Sequence, residues 1–136
     1  MRASKKDILL IKIDLAAAVP AYRQIVDALR TLLVGGTLLP GQKLPTVRQL
    51  ALDLGIHHNT VAEAYRILAD EGWLALGRRR GATVLARKPP TQNVEVQKRF
   101  ARRLRELVAE VRAAGLTIER VRSEFAACEE DFARRS

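Results

Sequence analysis

Residues 44–68 read LPTVRQLALDLGIHHNTVAEAYRIL, and this stretch decides the fold that we predict for the chain. Thr46 can cap a helix, and Gln49 follows three residues later, where its side chain can reach back to the cap amide. Apolar residues then recur at helical spacing, at Val47, Leu50, Ala51 and Leu54. Gly55 follows the last of them, as is typical where a chain leaves a helix through a left-handed residue. The pattern predicts a short helix that ends just before Gly55.

A second apolar run predicts a second helix directly after this turn. Its buried stripe is formed by Val61, Ala64, Tyr65 and Leu68. The opposite face carries mostly polar side chains, namely His58, Asn59, Ala62, Glu63 and Arg66. Two short helices joined by a turn that contains glycine form a helix-turn-helix, here at about residues 46–71. A short polar face of this kind can enter a DNA major groove and meet the base edges.

A basic turn follows between two short apolar runs. Residues 73–76 and 82–85 flank the turn, which holds Arg78, Arg79 and Arg80 between two glycines. This arrangement predicts a β-hairpin, or wing, at about residues 73–86. Upstream, Tyr22, Ile25, Val26, Leu29, Leu32 and Leu33 mark one more amphipathic helix. Three helices and a hairpin predict a winged helix-turn-helix domain over residues 1–88.

The remaining residues, 91–136, follow a Pro-Pro pair and form a second region with two predicted helices. Gly115 separates the helices, and Thr117 can cap the second. Each helix has one apolar stripe at alternating spacings of three and four, formed by Phe100, Leu104, Leu107 and Val111 and by Ile118, Val121, Phe125, Cys128 and Phe132.

These two stripes, which we call the seam, have too little of their own chain to cover them. The simplest candidate to pack against the seam is a second copy of the protein. The alternative is that the helical hairpin packs back onto the first domain. Cys128 belongs to the seam and is expected to be a buried small hydrophobe rather than a redox sensor. The predicted fold class is therefore mostly α with a small β-hairpin, a winged helix followed by a helical hairpin.

The charge is unevenly distributed along the 136 residues. The chain holds 24 basic and 15 acidic residues, a formal net charge of +9. Residues 1–90 carry 14 basic and 7 acidic side chains, against 10 and 8 in residues 91–136. The excess lies with the helix-turn-helix, as a polyanionic partner would require, although a solvated basic surface is the alternative. Aromatic residues are scarce and are not interleaved with the basic ones, which argues against single-strand binding.

Individual polar residues have competing interpretations. Arg48 can contact DNA or form a salt bridge with a nearby acid such as Glu63. Asn59 can form hydrogen bonds with adenine, or it can be a polar residue at the start of the helix without a contact to DNA. Arg66 is placed to reach backbone phosphate. The arginines at 78–80 suit a narrow minor groove, the alternative being an exposed run of charge.

The adjacent histidines His57 and His58 allow three interpretations. They can contact DNA or cap the second helix, they can form a pH switch because histidine titrates near neutrality, or they can bind a metal. The metal interpretation is the weakest, since adjacent side chains on a helix diverge and no third ligand is evident.

The helix-turn-helix resembles the GntR family of bacterial transcription regulators. The matching positions are Leu44-Pro45, Arg48, Leu50-Ala51, Leu54-Gly55, Thr60-Val61, Ala64-Tyr65, Leu68, Glu71-Gly72 and Leu74. The short two-helix tail is similar to that of the YtrA-type subfamily. The resemblance implies a regulator, most often a repressor, that acts as a homodimer on an inverted repeat in double-stranded DNA. It assigns DNA contacts to Arg48, His57, His58, Asn59, Thr60, Arg78, Arg79 and Arg80. Thr46 and Arg66 are added as candidate phosphate contacts by their own positions at the start of the first helix and on the polar face of the second.

The chain departs from the family pattern at three places. His57-His58 stands where many relatives have Ser-Arg, Ala62 replaces a common second arginine, and Arg79 replaces the usual wing glycine. These departures leave the expected fold intact, but base preference does not carry over by analogy.

Other functional classes find no support in the residues. No catalytic constellation, phosphate loop or metal cluster stands out, so we expect neither an enzyme nor a cofactor. No apolar run is long enough to span a membrane and no signal peptide opens the chain, which favours the cytoplasm. A nonspecific architectural DNA-binding protein is the alternative function, and the residues identify no small-molecule effector.

Overall fold

The computed structural model describes residues 11–78, 81–87 and 93–133. The chain divides into two compact units, Met1–Arg87 and Lys88–Arg134. Within the described residues the elements are, in chain order, α1 (Ala21–Val34), α2 (Val47–Leu54), α3 (His58–Asp70), β1 (Leu74–Gly77), β2 (Gly81–Val84), α4 (Val94–Ala113) and α5 (Ile118–Ala133). The predicted class, mostly α with one small hairpin, is confirmed.

The first unit is built around α3, on which both α1 and α2 pack. The apolar stripe of α3 is fully buried, as its helical spacing predicts, with Val61, Ala64 and Leu68 at 0% exposure. The other core residues on the helices are Ile25, Val26, Leu29, Leu33, Leu50 and Ala51. The buried stripe fixes which face of α3 remains in contact with solvent.

The hairpin is joined by a third extended segment that the sequence did not reveal. β1 and β2 pair antiparallel, with Leu74 opposite Val84 and Gly77 opposite Gly81. The Leu44 amide donates to the Ala82 carbonyl at 2.8 Å, and the Val84 amide donates to the Gln42 carbonyl at 2.9 Å. Residues 41–44 therefore run beside β2 and attach the hairpin to the start of α2.

The helix ends agree with most of the predicted signals. Thr46 caps α2, its hydroxyl accepting from the Gln49 amide at 3.1 Å, and Gly55 ends α2 with a φ of +68°. The predicted second half of the capping box is wrong. The Gln49 side chain donates to Asp53 at 3.0 Å, one turn along the helix, and does not turn back to the cap amide.

Two side-chain contacts connect the helices of the first unit. The buried Tyr65 hydroxyl on α3 donates to the Pro45 carbonyl just before α2, at 2.7 Å. Arg30 on α1 forms an ion pair with Glu71 at the end of α3, with 2.6 Å between Nη2 and Oε1. These contacts fix α3 against both of its neighbours.

The second unit consists of α4 and α5, which are joined by a turn at Gly115, where φ is +100°. Asn93 caps α4 by accepting from the Glu95 amide at 2.9 Å, and Thr117 accepts from the Arg120 amide at 3.2 Å. The two helices share few close contacts, and none of their described residues is buried.

Most of the seam is consequently exposed in the single chain, whereas Leu104, Val111 and Val121 are half-buried. Phe100 is 58% exposed, Leu107 56% and Phe125 52%. The prediction that Cys128 is buried is wrong for one copy of the chain, because its side chain is exposed, as are Ile118, Phe125 and Phe132 on the same stripe.

Candidate nucleic-acid interface

Six of the predicted contact residues lie where α2 and α3 begin, namely Thr46, Arg48, His57, His58, Asn59 and Thr60. Arg48, in the first turn of α2, is exposed, as are His57, His58 and Asn59 at the start of α3. Thr60 is half-buried. The buried stripe of α3 turns this N-terminal face outward, so polar groups and a cation share one surface.

Arg48 does not form the salt bridge that the sequence allowed. Among the described residues Arg48 has no ion pair or side-chain hydrogen bond, and Glu63 pairs instead with Arg66, three residues further along α3. The Arg48 guanidinium is therefore available to an anion from outside the chain. Arg66 is exposed but engaged, and it would have to exchange Glu63 for phosphate in order to contact DNA.

Two open grooves meet at Arg48. One, of about 610 Å³, lies between the start of α2, α3 and the hairpin, and Thr46, Ala62 and Leu76 are among its lining residues. The other, of about 540 Å³, is lined by the α2–α3 turn and both histidines. The N-terminal amides of α2 belong to this concave surface, and helix N-termini attract phosphate groups.

His57 caps the helix that carries the polar face. Its Nδ1 accepts a hydrogen bond from the Asn59 amide at 3.1 Å, and its ring stacks on His58 with centroids 4.4 Å apart and planes inclined by 27°. The capping interpretation of His57 is confirmed. Among residues 11–78, 81–87 and 93–133, no group of three or more histidine, cysteine and acidic side chains could hold a metal.

The hydroxyl of Tyr65 lies beneath this surface and helps to shape it. Burial raises the pKa of Tyr65 above its ordinary value of 10.0, so the phenol stays protonated and keeps donating to Pro45. Tyr65 also lines the 610 Å³ groove. As the helical spacing predicts, Tyr65 is a core residue.

The wing is described only in part. Arg78 is exposed at the end of β1, next to the groove-lining Gly77. The predicted contacts at Arg79 and Arg80 lie outside the described residues.

Sequence reasoning missed the contribution of Leu76 to the groove. Leu74 and Leu76 fall on one face of β1 by alternation, which predicts burial for both, yet Leu76 is 52% exposed and lines the groove. The hairpin extends past the core at this position, and no local pattern in the sequence signals where the core ends.

The part of the chain that the structure describes includes no helix both long and apolar enough to cross a membrane.

Comparison with known proteins places these features in a family. Residues 21–84 match a family model whose description is "Bacterial regulatory proteins, gntR family". These residues contain α1, the helix-turn-helix and the hairpin. Over 113 residues the chain is 34% identical to the HTH-type transcriptional repressor YtrA of Bacillus subtilis (strain 168), covering 82% of this chain and 86% of that protein.

Solved structures show the same architecture. YtrA from Sulfolobus acidocaldarius, a GntR-family transcription factor, is 35% identical, with a TM-score of 0.54 over 76% of this chain and 98% of that chain. A transcriptional antiterminator from Listeria monocytogenes EGD-e has a TM-score of 0.72 over 90% of this chain and 92% of its own, at 22% identity, a level that supports the fold alone.

Proposed function

The chain belongs to the GntR family of bacterial regulatory proteins, and on that premise we propose that it is a homodimeric repressor of transcription that reads an inverted-repeat operator. The family itself makes the chain a DNA-binding transcription regulator. The dimer, the repeat and the sign of regulation are the parts we propose, and the relative named a repressor supports the sign.

One observation carries the proposal, namely the polar N-terminal face of α3 beside the guanidinium of Arg48, which pairs with no described residue. Asn59 and His58 on this face offer donors and acceptors of the kind that read base edges in a major groove. Arg48 and the amides of α2 offer positive potential where the DNA backbone would pass. We assign base reading to α3, phosphate contacts to Thr46, Arg48 and Arg66, and minor-groove contacts to the wing at residues 78–80.

The exposed seam supports self-association. Phe100 on α4 and Phe125 on α5 are each more than half exposed, and the two helices cover each other little. Large aromatic side chains that are exposed to solvent in this way are typical of a protein–protein interface. The predicted interface consists of Phe100, Leu104, Leu107, Val111, Ile118, Val121, Phe125, Cys128 and Phe132.

Charge supports pairing of α4 with α5 of another copy. α4 holds six basic and three acidic residues, whereas α5 holds two basic and five acidic residues. Arg99 and Arg103 line a groove of about 390 Å³ beside Phe100 on α4. A helix with the opposite excess charge complements this surface, and a second copy supplies one.

Two-fold symmetry of the dimer then dictates the form of the operator. Two copies of α3 related by a two-fold axis read the same sequence on opposite strands, in half-sites separated by about one helical turn, or ~34 Å. A nonspecific architectural protein, which the net charge of +9 would also suit, has no such requirement.

The experiment that tests the proposal is selection of duplexes by the full-length protein from a random-sequence library, followed by sequencing and footprinting. We expect an enriched inverted repeat, protected symmetrically, with two protein chains per duplex by sedimentation. If no sequence were enriched and the protein protected the DNA uniformly along its length, the result would support the architectural alternative. A single protected half-site bound by one chain would contradict the dimer.

A further inference from the structure

His57 occupies a position that must satisfy two partners at once. As the N-cap of α3 it faces the helix, where Nδ1 accepts from the Asn59 amide at 3.1 Å. It is also an exposed residue of the surface that we assign to DNA. Serine or aspartate can cap a helix through an oxygen, but an aspartate here would repel phosphate.

The cap determines which nitrogen of His57 carries the proton. A nitrogen that accepts a hydrogen bond must keep its lone pair, so the imidazole that caps α3 is neutral and its proton resides on Nε2. Nε2 lies on the ring edge away from Nδ1. Among the residues that the structure describes, none receives a hydrogen bond from Nε2 of His57.

The stack with His58 restrains the orientation of the donor. The two rings lie 4.4 Å apart between centroids with 27° between their planes, so the His57 ring is held both by its cap bond and by its neighbour. A donor held in place loses less conformational freedom on binding than one on a mobile side chain.

We propose that His57 is a neutral phosphate contact: Nδ1 caps the recognition helix α3 while Nε2–H donates to a phosphate oxygen of the bound DNA. This inference rests on the proposed function and deepens it. It distinguishes His57 from Arg48, because a cation that meets phosphate releases counterions whereas a neutral donor does not. The cap also sets the backbone at Asn59, so one side chain orients the base-reading helix and contacts the DNA backbone.

The tautomer is tested directly in the free protein. The ¹⁵N shifts of the imidazole nitrogens, measured at neutral pH in the intact chain, should identify His57 as the form protonated on Nε2. A proton on Nδ1, or on both nitrogens, would overturn the proposal.

The phosphate contact is tested with His57→Ser and His57→Ala. The probe is the duplex that the wild-type chain itself selects from a random library. Serine restores the cap but lacks a donor at the position of Nε2, so His57→Ser should keep the unfolding free energy of the wild type while losing affinity about 3- to 10-fold, the loss expected for one hydrogen bond. His57→Ala should lose stability and affinity together.

The salt dependence separates a neutral contact from a charged one. The slope of log K against log salt should be the same for His57→Ser and wild type, whereas Arg48→Ala should reduce it by about one unit. The neutral contact would be contradicted if His57→Ser bound DNA as tightly as the wild type, or if its salt slope were one unit smaller than that of the wild type. If the wild type selects no duplex at all, the proposed function fails, which is a distinct result from equal binding by His57→Ser and wild type.

Discussion

At the scale of the residue, Gly81 shows how closely the hairpin approaches the helix-turn-helix. It begins β2 with a φ of +74°, and a Cβ there would lie 2.9 Å from the Leu44 carbonyl oxygen, 3.1 Å from that of Pro45 and 3.2 Å from the Thr46 amide nitrogen. All three atoms belong to the backbone that leads into α2. A side chain would therefore push the hairpin away from the cap of α2.

Gly81→Ala should lower the free energy of unfolding by about 3 kcal/mol, combining left-handed strain with steric overlap. Gly55→Ala is the matched control, because Gly55 has a similar φ of +68° but nothing within 4 Å of its Cβ position. The control should cost about 1 kcal/mol, the strain alone. Urea denaturation measures both, and equal losses would show that the close approach is not rigid.

Residue-level prediction from sequence succeeded where the partner lies within a few positions. The caps at Thr46 and Thr117 and the left-handed Gly55 all depend on nearby backbone, so local spacing reveals them. The approach of Gly81 to residues 44–46 could not be predicted, because it depends on how the hairpin docks. Nor could spacing decide that Glu63 pairs with Arg66 rather than Arg48.

At the scale of the element, two side-chain contacts hold α3 in place, one to the segment before α2 and one to α1. Tyr65 joins its middle to the start of α2, and Glu71 joins its C-terminus to α1. The polar N-terminal face of α3 is presented correctly only if both neighbours stay in place. The apolar periodicity predicted that α3 has a buried stripe, but it did not predict these polar links between distant residues.

Tyr65→Phe should lower the unfolding free energy by about 1–2 kcal/mol near neutral pH, since the Pro45 carbonyl loses its donor. Because burial raises the pKa of Tyr65, the stability that its neutral phenol provides is complete below 10.0, the ordinary value, and declines as the pH rises above it. The difference between wild type and Tyr65→Phe should therefore shrink at about pH 10.5. A difference that grows there would contradict the burial of this phenol.

Glu71→Gln should be less stable than Asp70→Asn by about 1 kcal/mol. Both changes remove a negative charge from the C-terminal end of α3, where the helix dipole disfavours it. Only Glu71 pairs with Arg30, while Asp70 is exposed and forms no ion pair within residues 11–78, 81–87 and 93–133. Thermal denaturation at low and high salt measures the difference, and equal stabilities would mean that the Arg30–Glu71 pair contributes nothing.

At the scale of the whole molecule, the second unit has a surface but no core. Apolar spacing predicted the two helices, and in the single chain α4 and α5 bury none of their described residues. A sequence shows that a stripe needs a partner but not which partner, so the homodimer remains a proposal. The opposite net charges of α4 and α5 are compatible with packing on a second copy of the same chain.

Phe125→Glu should convert the dimer to a monomer at micromolar concentration, because it places a charge in the middle of the seam. Ala127→Glu is the control, since position 127 lies on the opposite side of α5 from Phe125 and is also exposed. Light scattering coupled to size exclusion measures both. A wild type that is already monomeric, or a dimeric Phe125→Glu, would be incompatible with the proposed interface.

The most direct test of the central claim, sequence-specific reading of DNA, is fluorescence anisotropy of the full-length protein on its selected duplex and on a scrambled duplex of equal length. At physiological salt we predict that the selected duplex binds at least ~10³-fold more tightly. Equal affinity for both duplexes, falling steeply with salt for each, would contradict an operator reader and leave a protein that binds DNA by charge alone.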